Sequence, residues 1–143
     1  MTINKGIDKK LFNEIIKKNF PSPFHELLKF NLIEIGHGNV VVEVMPDENY
    51  SNFKRILHGG VTATLCDTAM GFAVRSLGAA PTTVEMKINY LAPGVINEKL
   101  QAIGNVVKRG KTLLVTEAKI YCKDKLIAIS SGTYFNLEVI AKK

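Results

Sequence analysis

The sequence predicts an α+β fold in which an antiparallel sheet of about six strands wraps around one long buried helix. The helix prediction rests on residues 57–78, a run that is apolar on nearly every side and therefore belongs in a core. The strand predictions rest on runs of alternating apolar and polar residues that are separated by Gly, Pro and Asn. A chain of 143 residues can bury one sizeable core, so one domain over residues 1–143 is expected.

The N-terminal part, over about residues 1–29, is predicted to be a helical extension of this domain. Apolar residues recur at helical spacing within residues 7–19, at Ile7, Leu11, Ile15 and Ile16. Ser22 followed by Pro23 has the pattern of an N-cap with proline in the first helical position. This pair therefore predicts the start of a second, short helix.

Strand candidates account for most of the remaining chain. Two precede the long helix, over residues 30–35 and 39–45, and the sequence Gly-His-Gly between them indicates a hairpin. An irregular loop over residues 46–56, rich in Asn, Asp and Ser, leads on to the helix. The later strands are predicted to form an antiparallel meander, over residues 83–90, 100–108, 112–122 and 126–135.

The charge balance is basic, with 19 Lys and Arg against 13 Asp and Glu, a net charge of +6. Such a balance favours anionic partners. The lysines are spread along the chain, however, and the sequence has no Trp, no zinc finger, no helix-turn-helix pattern and no aromatic-rich RNA-binding pattern. No nucleic-acid partner is therefore predicted, which leaves phosphate-bearing small molecules or solvation as reasons for the charge.

The cellular setting is predicted to be cytoplasmic and away from membranes. The apolar stretches are shorter than a membrane span, and the N-terminus lacks the apolar core of a secretory signal. Cys66 and Cys122 are isolated within elements that should be buried, as reduced thiols are. Three histidines, His25, His37 and His58, lack the spacing of a zinc site, so no metal site is predicted.

The start of the long helix has features that suit chemistry at a carbonyl group. The helix begins after His58-Gly59-Gly60, where a Ser, Thr, Asp or Asn cap is usual. A carbonyl under attack by water develops an oxyanion, which a fixed backbone N–H stabilises. The first helical turn has free N–H groups and the positive end of the helix dipole, and glycine lets a substrate reach them. Gly59 is therefore the candidate oxyanion donor.

Asp67, the one carboxylate of the helix, has two possible roles. A lone acid on an apolar helix costs stability unless it is paired or has a use. Thr64 and Thr68 are near enough in sequence to hold it as a purely structural group; otherwise it is a reactive acid. His58 likewise either fixes the turn by hydrogen bonding to the backbone or contacts the substrate directly.

The spacing of these residues resembles that of a known family. Asn52 stands six residues before His58-Gly59-Gly60, and Asp67 stands nine residues after the histidine. Within this order of elements, the spaced set resembles the hotdog-fold acyl-CoA thioesterases of the phenylacetate-degradation type, over about residues 39–135. The resemblance implies hydrolysis of an aryl or fatty acyl-CoA to a free acid and coenzyme A. It also implies that no metal or prosthetic group is needed, since coenzyme A is part of the substrate.

The resemblance also implies a role for each residue. Asp67 would be the general base or the nucleophile, and Gly59 would be the oxyanion donor. Asn52 would hold the attacking water or orient the substrate carbonyl. Thr83 falls where these enzymes often have a hydroxyl group that could bond Asp67 or the water, and Thr82 is the alternative if the intervening loop is gapped.

The distance between Gly59 and Asp67 predicts an oligomer. Eight residues of helix span about 12 Å at 1.5 Å per residue, whereas base and oxyanion donor must each lie within about 3 Å of the reacting atoms. The site should therefore be shared across a two-fold homodimer. One subunit would supply Asn52, His58 and Gly59, and the other would supply Asp67 and Thr83. The resemblance implies the same dimer and adds that such dimers often pair into homotetramers.

The phosphates of coenzyme A would need basic residues near the site. Lys108, Arg109 and Lys111 surround a tight turn between two predicted strands and are the first candidates. The alternative is that they are an ordinary solvated turn, since such turns are usually polar. Lys54 and Arg55, in the loop before the helix, are the second candidates.

Three other functions are alternatives to the thioesterase prediction. A Ser-His-Asp hydrolase is disfavoured because the sequence has no G-x-S-x-G elbow. A hotdog hydratase or dehydratase fits less well because Asp67 lies in a helix that begins with HGG. A non-catalytic acyl-CoA-binding or ligand-sensing module on the same fold is the rival from another class, since a fold does not determine a function. The sequence does not indicate the acyl group.

Overall fold

A seven-stranded sheet and a 17-residue helix dominate the computed structural model, which describes residues 1–141. The strands and α-helices of this part, in chain order, are β1 (Ile3–Asn4), α1 (Lys9–Glu14), α2 (Pro23–Leu27), β2 (Asn31–Gly36), β3 (Asn39–Val44), α3 (Gly59–Arg75), β4 (Pro81–Tyr90), β5 (Leu100–Arg109), β6 (Leu113–Cys122), β7 (Lys125–Asn136) and α4 (Glu138–Ala141). A π-helical segment, Ile15–Asn19, continues α1, and a 3₁₀ turn, Glu48–Tyr50, interrupts the loop before α3.

The N-terminal extension contains both predicted helices. The first begins later than predicted because Asp8 is its N-cap, whose side chain accepts the Leu11 N–H. Its second half is π-helical, a rare geometry that is frequent at functional sites. Ser22 is the N-cap of the short second helix, as predicted, and its hydroxyl accepts the His25 N–H.

The strands form one sheet in the order β1-β2-β3-β5-β6-β7-β4. The predicted meander holds for β5, β6 and β7, but the prediction that β4 begins it is wrong. β4 pairs with β7, from Pro81 opposite Asn136 to Tyr90 opposite Ala128. β3 occupies the edge of β5 that β4 would have needed, so β4 lies at the outer edge of the sheet. The short β1, parallel to β2, adds a seventh strand.

The sheet surrounds α3, which contacts β3, β4, β5, β6 and β7. The closest approach is at Gly104 of β5, where an added Cβ would lie 2.4 Å from the Ala69 carbonyl oxygen. Ala69 itself is fully buried. A glycine in the strand thus lets the backbones of sheet and helix come together. One helix enclosed by one curved sheet is the hotdog arrangement that the resemblance implies.

Replacing Gly104 with alanine is expected to lower the free energy of unfolding by about 1–3 kcal/mol. The new Cβ would overlap the Ala69 carbonyl, a backbone group that cannot rotate away. Gly71→Ala is the matched control, because its Cβ would lie 3.7 Å from the Tyr134 ring and alanine suits a helix interior better than glycine. Urea denaturation should show a loss for Gly104→Ala alone. An undiminished stability of Gly104→Ala would contradict the close approach.

One stripe of α3 faces away from the sheet and is incompletely covered, through Gly60, Thr64, Asp67, Gly71 and Arg75. The helix is buried as predicted on the sides that face the sheet, but this stripe is not fully covered in the single chain, and Asp67 is only half-buried. The N-terminal extension covers one end of the stripe. There the Phe20 ring packs edge-on against Phe72, 5.4 Å between centroids. The opposite end, near the helix N-terminus, is open.

Both cysteines are buried free thiols, as predicted. Burial raises the pKa of Cys66 to about 11, so this thiol stays protonated and unreactive at neutral pH. Among residues 1–141, no helix is long and apolar enough to cross a membrane. The cytoplasmic location stays a prediction.

Candidate active site

The Asp67 carboxylate is held by two hydroxyl groups. Its Oδ1 atom accepts hydrogen bonds from the Thr83 hydroxyl at 2.8 Å and from the Tyr134 hydroxyl at 2.6 Å. Thr83, rather than Thr82, is therefore the partner of the acid. The Oδ2 atom accepts no hydrogen bond from residues 1–141. Asp67 is one of the residues that border a cleft. The acid is thus fixed through one oxygen and left open at the other.

Tyr134 was missed by the sequence analysis. It lies on β7, where Ala128, Ser130, Gly132 and Tyr134 form the buried face. The signal was present, since a tyrosine on a buried face needs a hydrogen-bond partner for its hydroxyl. Burial, reinforced by the hydrogen bond and the negative charge of Asp67, raises the pKa of Tyr134 well above its ordinary value. Its hydroxyl therefore stays a donor at neutral pH.

The N-terminus of α3 is fixed around Gly59. His58 is the N-cap, and its Nδ1 atom accepts the Gly60 N–H at 2.8 Å, which is the orienting role considered for this histidine. The Gly59 N–H has no acceptor within the described chain. The Tyr90 hydroxyl donates to the Gly59 carbonyl oxygen at 2.7 Å, and burial raises the pKa of Tyr90, so this contact persists at neutral pH.

Asn52 shapes the loop that leads to this helix start. Its side-chain oxygen accepts the Lys54 N–H at 2.9 Å and, more weakly, the Ile56 N–H at 3.4 Å. Its own backbone N–H donates to the Ile56 carbonyl oxygen. The side-chain amide has no acceptor within residues 1–141 and is left as a donor. Asn52 is thus first a turn residue, with one polar group to spare.

Asp67 and Gly59 border two separate clefts. The first, here named the acid cleft, has a volume of about 420 Å³ and is bordered by Asp67, Thr82 and Thr83 among others. The second, here named the glycine cleft, has a volume of about 340 Å³ and is bordered by Gly59 and Tyr90 among others. A single chain therefore does not bring the acid and the glycine together, as their spacing along the helix predicts.

The strand that joins these clefts has a free edge. β4 touches the acid cleft through Thr83 and the glycine cleft through Tyr90, and its outer edge has no partner strand within residues 1–141. Val84 and Tyr90 of this strand and the adjacent Leu91 have large apolar side chains that are exposed. A ten-residue open edge of this kind is prone to pair with another chain.

The basic turn lies at the opposite end of α3 from Gly59. Lys108, Arg109 and Lys111 are exposed, and the Arg109 guanidinium donates to the Leu77 carbonyl oxygen at 3.0 Å. The turn borders a third cleft of about 410 Å³ that includes Ala79, whereas the adjacent Ala80 borders the acid cleft. The third cleft therefore lies beside the acid cleft of the same chain. Lys54 and Arg55 are exposed in the loop before the helix.

The wall of the acid cleft includes, besides Tyr134, three polar residues that were not predicted as site residues. They are Asn19, His25 and Arg75. Burial lowers the pKa of His25, and the negative charge of Asp67 opposes this shift only in part. His25 is therefore neutral at pH 7. Residues 1–141 contain no cluster of three or more His, Cys, Asp or Glu side chains that could hold a metal ion, and a metal-free site stays a prediction.

Known proteins are similar to this chain in both sequence and fold. The family model of the Thioesterase superfamily matches residues 55–129, which contain the HGG sequence, Asp67 and Thr83. Acyl-coenzyme A thioesterase 13 of Homo sapiens is 36% identical over 104 residues, which are 70% of this chain and 74% of the relative. The match therefore extends over most of both proteins.

Two solved structures complete the comparison. The PaaI protein from the phenylacetic acid degradation operon of E. coli has a TM-score of 0.85 at 24% identity, over 92% of this chain and 96% of that one. A hypothetical thioesterase protein from Streptococcus pneumoniae TIGR4, solved with coenzyme A, has a TM-score of 0.72 at 30% identity, over 75% and 87%. The chain therefore belongs to the thioesterase superfamily and is a hotdog-fold thioester hydrolase of the phenylacetate-degradation type.

Proposed function

We propose that this protein hydrolyses an acyl-CoA to a free acid and coenzyme A. The observation that carries the proposal is Asp67, whose Oδ1 is fixed by Thr83 and Tyr134 while its Oδ2 is open to a cleft. The human relative is named an acyl-coenzyme A thioesterase, and the pneumococcal relative was solved with coenzyme A. Both support coenzyme A as the thiol half of the substrate.

The proposed chemistry uses the open oxygen of Asp67. As a general base, it takes a proton from water, and the water oxygen attacks the thioester carbonyl carbon. As a nucleophile, it attacks that carbon itself and forms an anhydride that water then opens. Either route places negative charge on the carbonyl oxygen, which the free Gly59 N–H would stabilise. Collapse of the tetrahedral intermediate expels the coenzyme A thiolate, which takes up a proton.

Two subunits would complete the site. Antiparallel pairing of β4 with a second β4, centred on Met86 or on Lys87, would place Thr83 of one chain within one residue of the partner's Tyr90. Because Thr83 contacts Asp67 and Tyr90 contacts Gly59, this pairing would set the acid cleft of each chain beside the glycine cleft of the other. A two-fold axis would produce two such sites per dimer. Pairing of dimers into tetramers stays an expectation from the resemblance.

Asn52 and His58 would act from the glycine side of the shared site. The Asn52 amide has no acceptor within residues 1–141, so it is available to the attacking water or to the substrate carbonyl. His58 would hold the helix start in place through Gly60. Both roles depend on the contacts that Asn52 and His58 make within one chain. They also depend on the pairing of two β4 strands, which would bring these residues close to the acid cleft of the other chain.

A panel of acyl-CoA thioesters tests the function. Aryl, short-chain and long-chain thioesters are assayed for release of free thiol, with Asp67→Ala as the control. Hydrolysis of at least one class by the wild-type protein, with a large loss in Asp67→Ala, is the expected result. Tight binding of acyl-CoA without release of thiol would support the non-catalytic acyl-CoA-binding module instead.

Reversing the charge of Lys108, Arg109 and Lys111 is expected to raise KM for acyl-CoA more than for a truncated pantetheine thioester. These side chains would contact phosphates that the truncated substrate lacks, and the effect should weaken with added salt. Reversing Lys54 and Arg55 in a second variant compares the other candidate surface. Equal losses on both substrates would show that the basic turn does not contact the nucleotide.

A further inference from the structure

The acid cleft has hydrogen-bond donors on the wall contributed by the N-terminal extension. Asn19 ends the π-helical segment, His25 lies in α2, and both border the cleft together with Arg75. If this cleft holds the acyl group, as the proposed function implies, a plain hydrocarbon chain would leave these donors without acceptors. Unpaired polar groups in a binding site select against such ligands.

His25 is fixed in one tautomer by its own helix cap. Its Nδ1 atom lies 3.1 Å from the Ser22 backbone N–H, which can only donate, and 2.9 Å from the Ser22 hydroxyl. Nδ1 is therefore the acceptor, and the proton of the neutral ring is on Nε2. The ring also stacks on Phe20, 4.8 Å between centroids. The Nε2–H has no acceptor within the described chain.

The charges around the cleft favour a neutral acceptor over an anion. The Arg75 guanidinium is 3.0 Å from the Glu14 carboxylate, and its Nε donates to the Asn19 side-chain oxygen at 3.0 Å. Arg75, the one Lys or Arg among the described residues that line the cleft, is thus already matched by an anion. Asp67 adds a further negative charge to the lining. A carboxylate on the acyl group would meet this charge without an unpaired Lys or Arg among those described residues.

We propose that the acid cleft selects acyl groups that have a neutral oxygen acceptor, such as a ketone or an ether, remote from the thioester, and that His25 determines this specificity. The proposal rests on the proposed function for the identity of the thiol half, but it concerns recognition rather than turnover. The Nε2–H of His25 would donate to the remote oxygen, while the Asn19 amide group lies on the same wall.

Calorimetric binding of coenzyme A thioethers tests the proposal, because thioethers cannot be hydrolysed. Each plain S-alkyl chain is compared with chains of the same length in which a carbonyl group replaces one methylene remote from the sulfur, at a different position in each ligand. A further ligand has a chain that ends in a carboxylate. At one position the ketone should lower Kd about tenfold, the value of one good hydrogen bond. His25→Phe should remove that gain, so that the ketone chain and the plain chain bind with equal Kd. His37→Phe, at the exposed turn between β2 and β3, is the matched control and should keep the gain.

A second readout uses the wild-type protein and does not depend on a variant that folds. The ketone ligand should shift the ring ¹⁵N resonance of His25 Nε2, and Nδ1 should remain unprotonated throughout. Equal affinity for all ketone and plain chains, tighter binding of the carboxylate, or a gain that persists in His25→Phe would overturn the proposal. Because thioether binding needs no turnover, a failed hydrolysis assay would count against the proposed function alone.

Discussion

Replacing Asp67 with asparagine is expected to lower kcat by about a hundred- to ten-thousand-fold, the usual contribution of a general base. The amide is nearly isosteric with the carboxylate, and its Oδ1 can still accept the hydroxyls of Thr83 and Tyr134. The amide nitrogen takes the place of Oδ2, the open oxygen, and cannot accept a proton or attack a carbonyl. Packing should therefore survive while the chemistry does not.

Steady-state hydrolysis of the best substrate and thermal unfolding together check this result. Thr83→Val is the matched control, because it removes one donor to Oδ1 but leaves the carboxylate; its loss should be smaller than that of Asp67→Asn. Near wild-type turnover in Asp67→Asn would show that the acid is not the base or nucleophile. A loss of folding in Asp67→Asn would indicate the structural role considered for this residue.

Gly59→Pro should lower kcat by about a hundred- to a thousand-fold, the usual cost of losing one oxyanion donor. The backbone N–H that proline removes has no acceptor within residues 1–141. The fold should tolerate it because proline suits the first helical position. His58 has the extended backbone that a residue before proline requires, with φ −63° and ψ 130°.

Gly59→Ala separates the loss of the N–H from the effect of added bulk. Its Cβ would lie 3.3 Å from the Tyr90 ring, as the proline ring would, but the N–H is kept. Initial rates of both variants with saturating acyl-CoA are the measurement. If Gly59→Ala is as impaired as Gly59→Pro, steric contact with Tyr90 explains the loss and the oxyanion donor must be sought elsewhere.

Local patterns predicted the elements of this fold well, but not their order in the sheet. The hairpin turns, the caps and the period-two runs are set by residues close in sequence. The pairing of β4 with β7 joins residues far apart in sequence, such as Pro81 and Asn136. β4 pairs with β7 because β3 already pairs with the edge of β5. No local sequence pattern predicts that choice. The partial exposure of α3 was missed for a related reason, since burial depends on what covers a face.

The candidate site was predicted to a similar extent. The resemblance implied a hydroxyl group beside Asp67 at Thr83 or Thr82, and the structure shows that Thr83 makes the contact. Tyr134 and His25 reach the same cleft from β7 and α2, and sequence spacing does not show that these elements converge on Asp67. The separation of Gly59 from Asp67 was predictable, because helix geometry fixes the distance between two residues of one helix.

The central claim is that one active site combines the acid cleft of one subunit with the glycine cleft of its partner. Mixing Gly59→Pro and Asp67→Asn subunits tests it most directly. Each variant dimer lacks one half of both sites, whereas each hybrid dimer has one site with both halves intact. Random pairing makes about half of the dimers hybrids, and each hybrid has one intact site out of two. About a quarter of all sites are then intact, so about a quarter of wild-type activity should return.

The two proteins are unfolded and refolded together, the hybrids are confirmed by native mass spectrometry, and release of thiol is measured against each parent refolded alone. Wild-type protein taken through the same cycle sets the full activity. Recovery near a quarter of that value is the result that a shared site predicts. Confirmed hybrids that are no more active than either parent would contradict it, and would mean that Asp67 and Gly59 do not serve a common substrate.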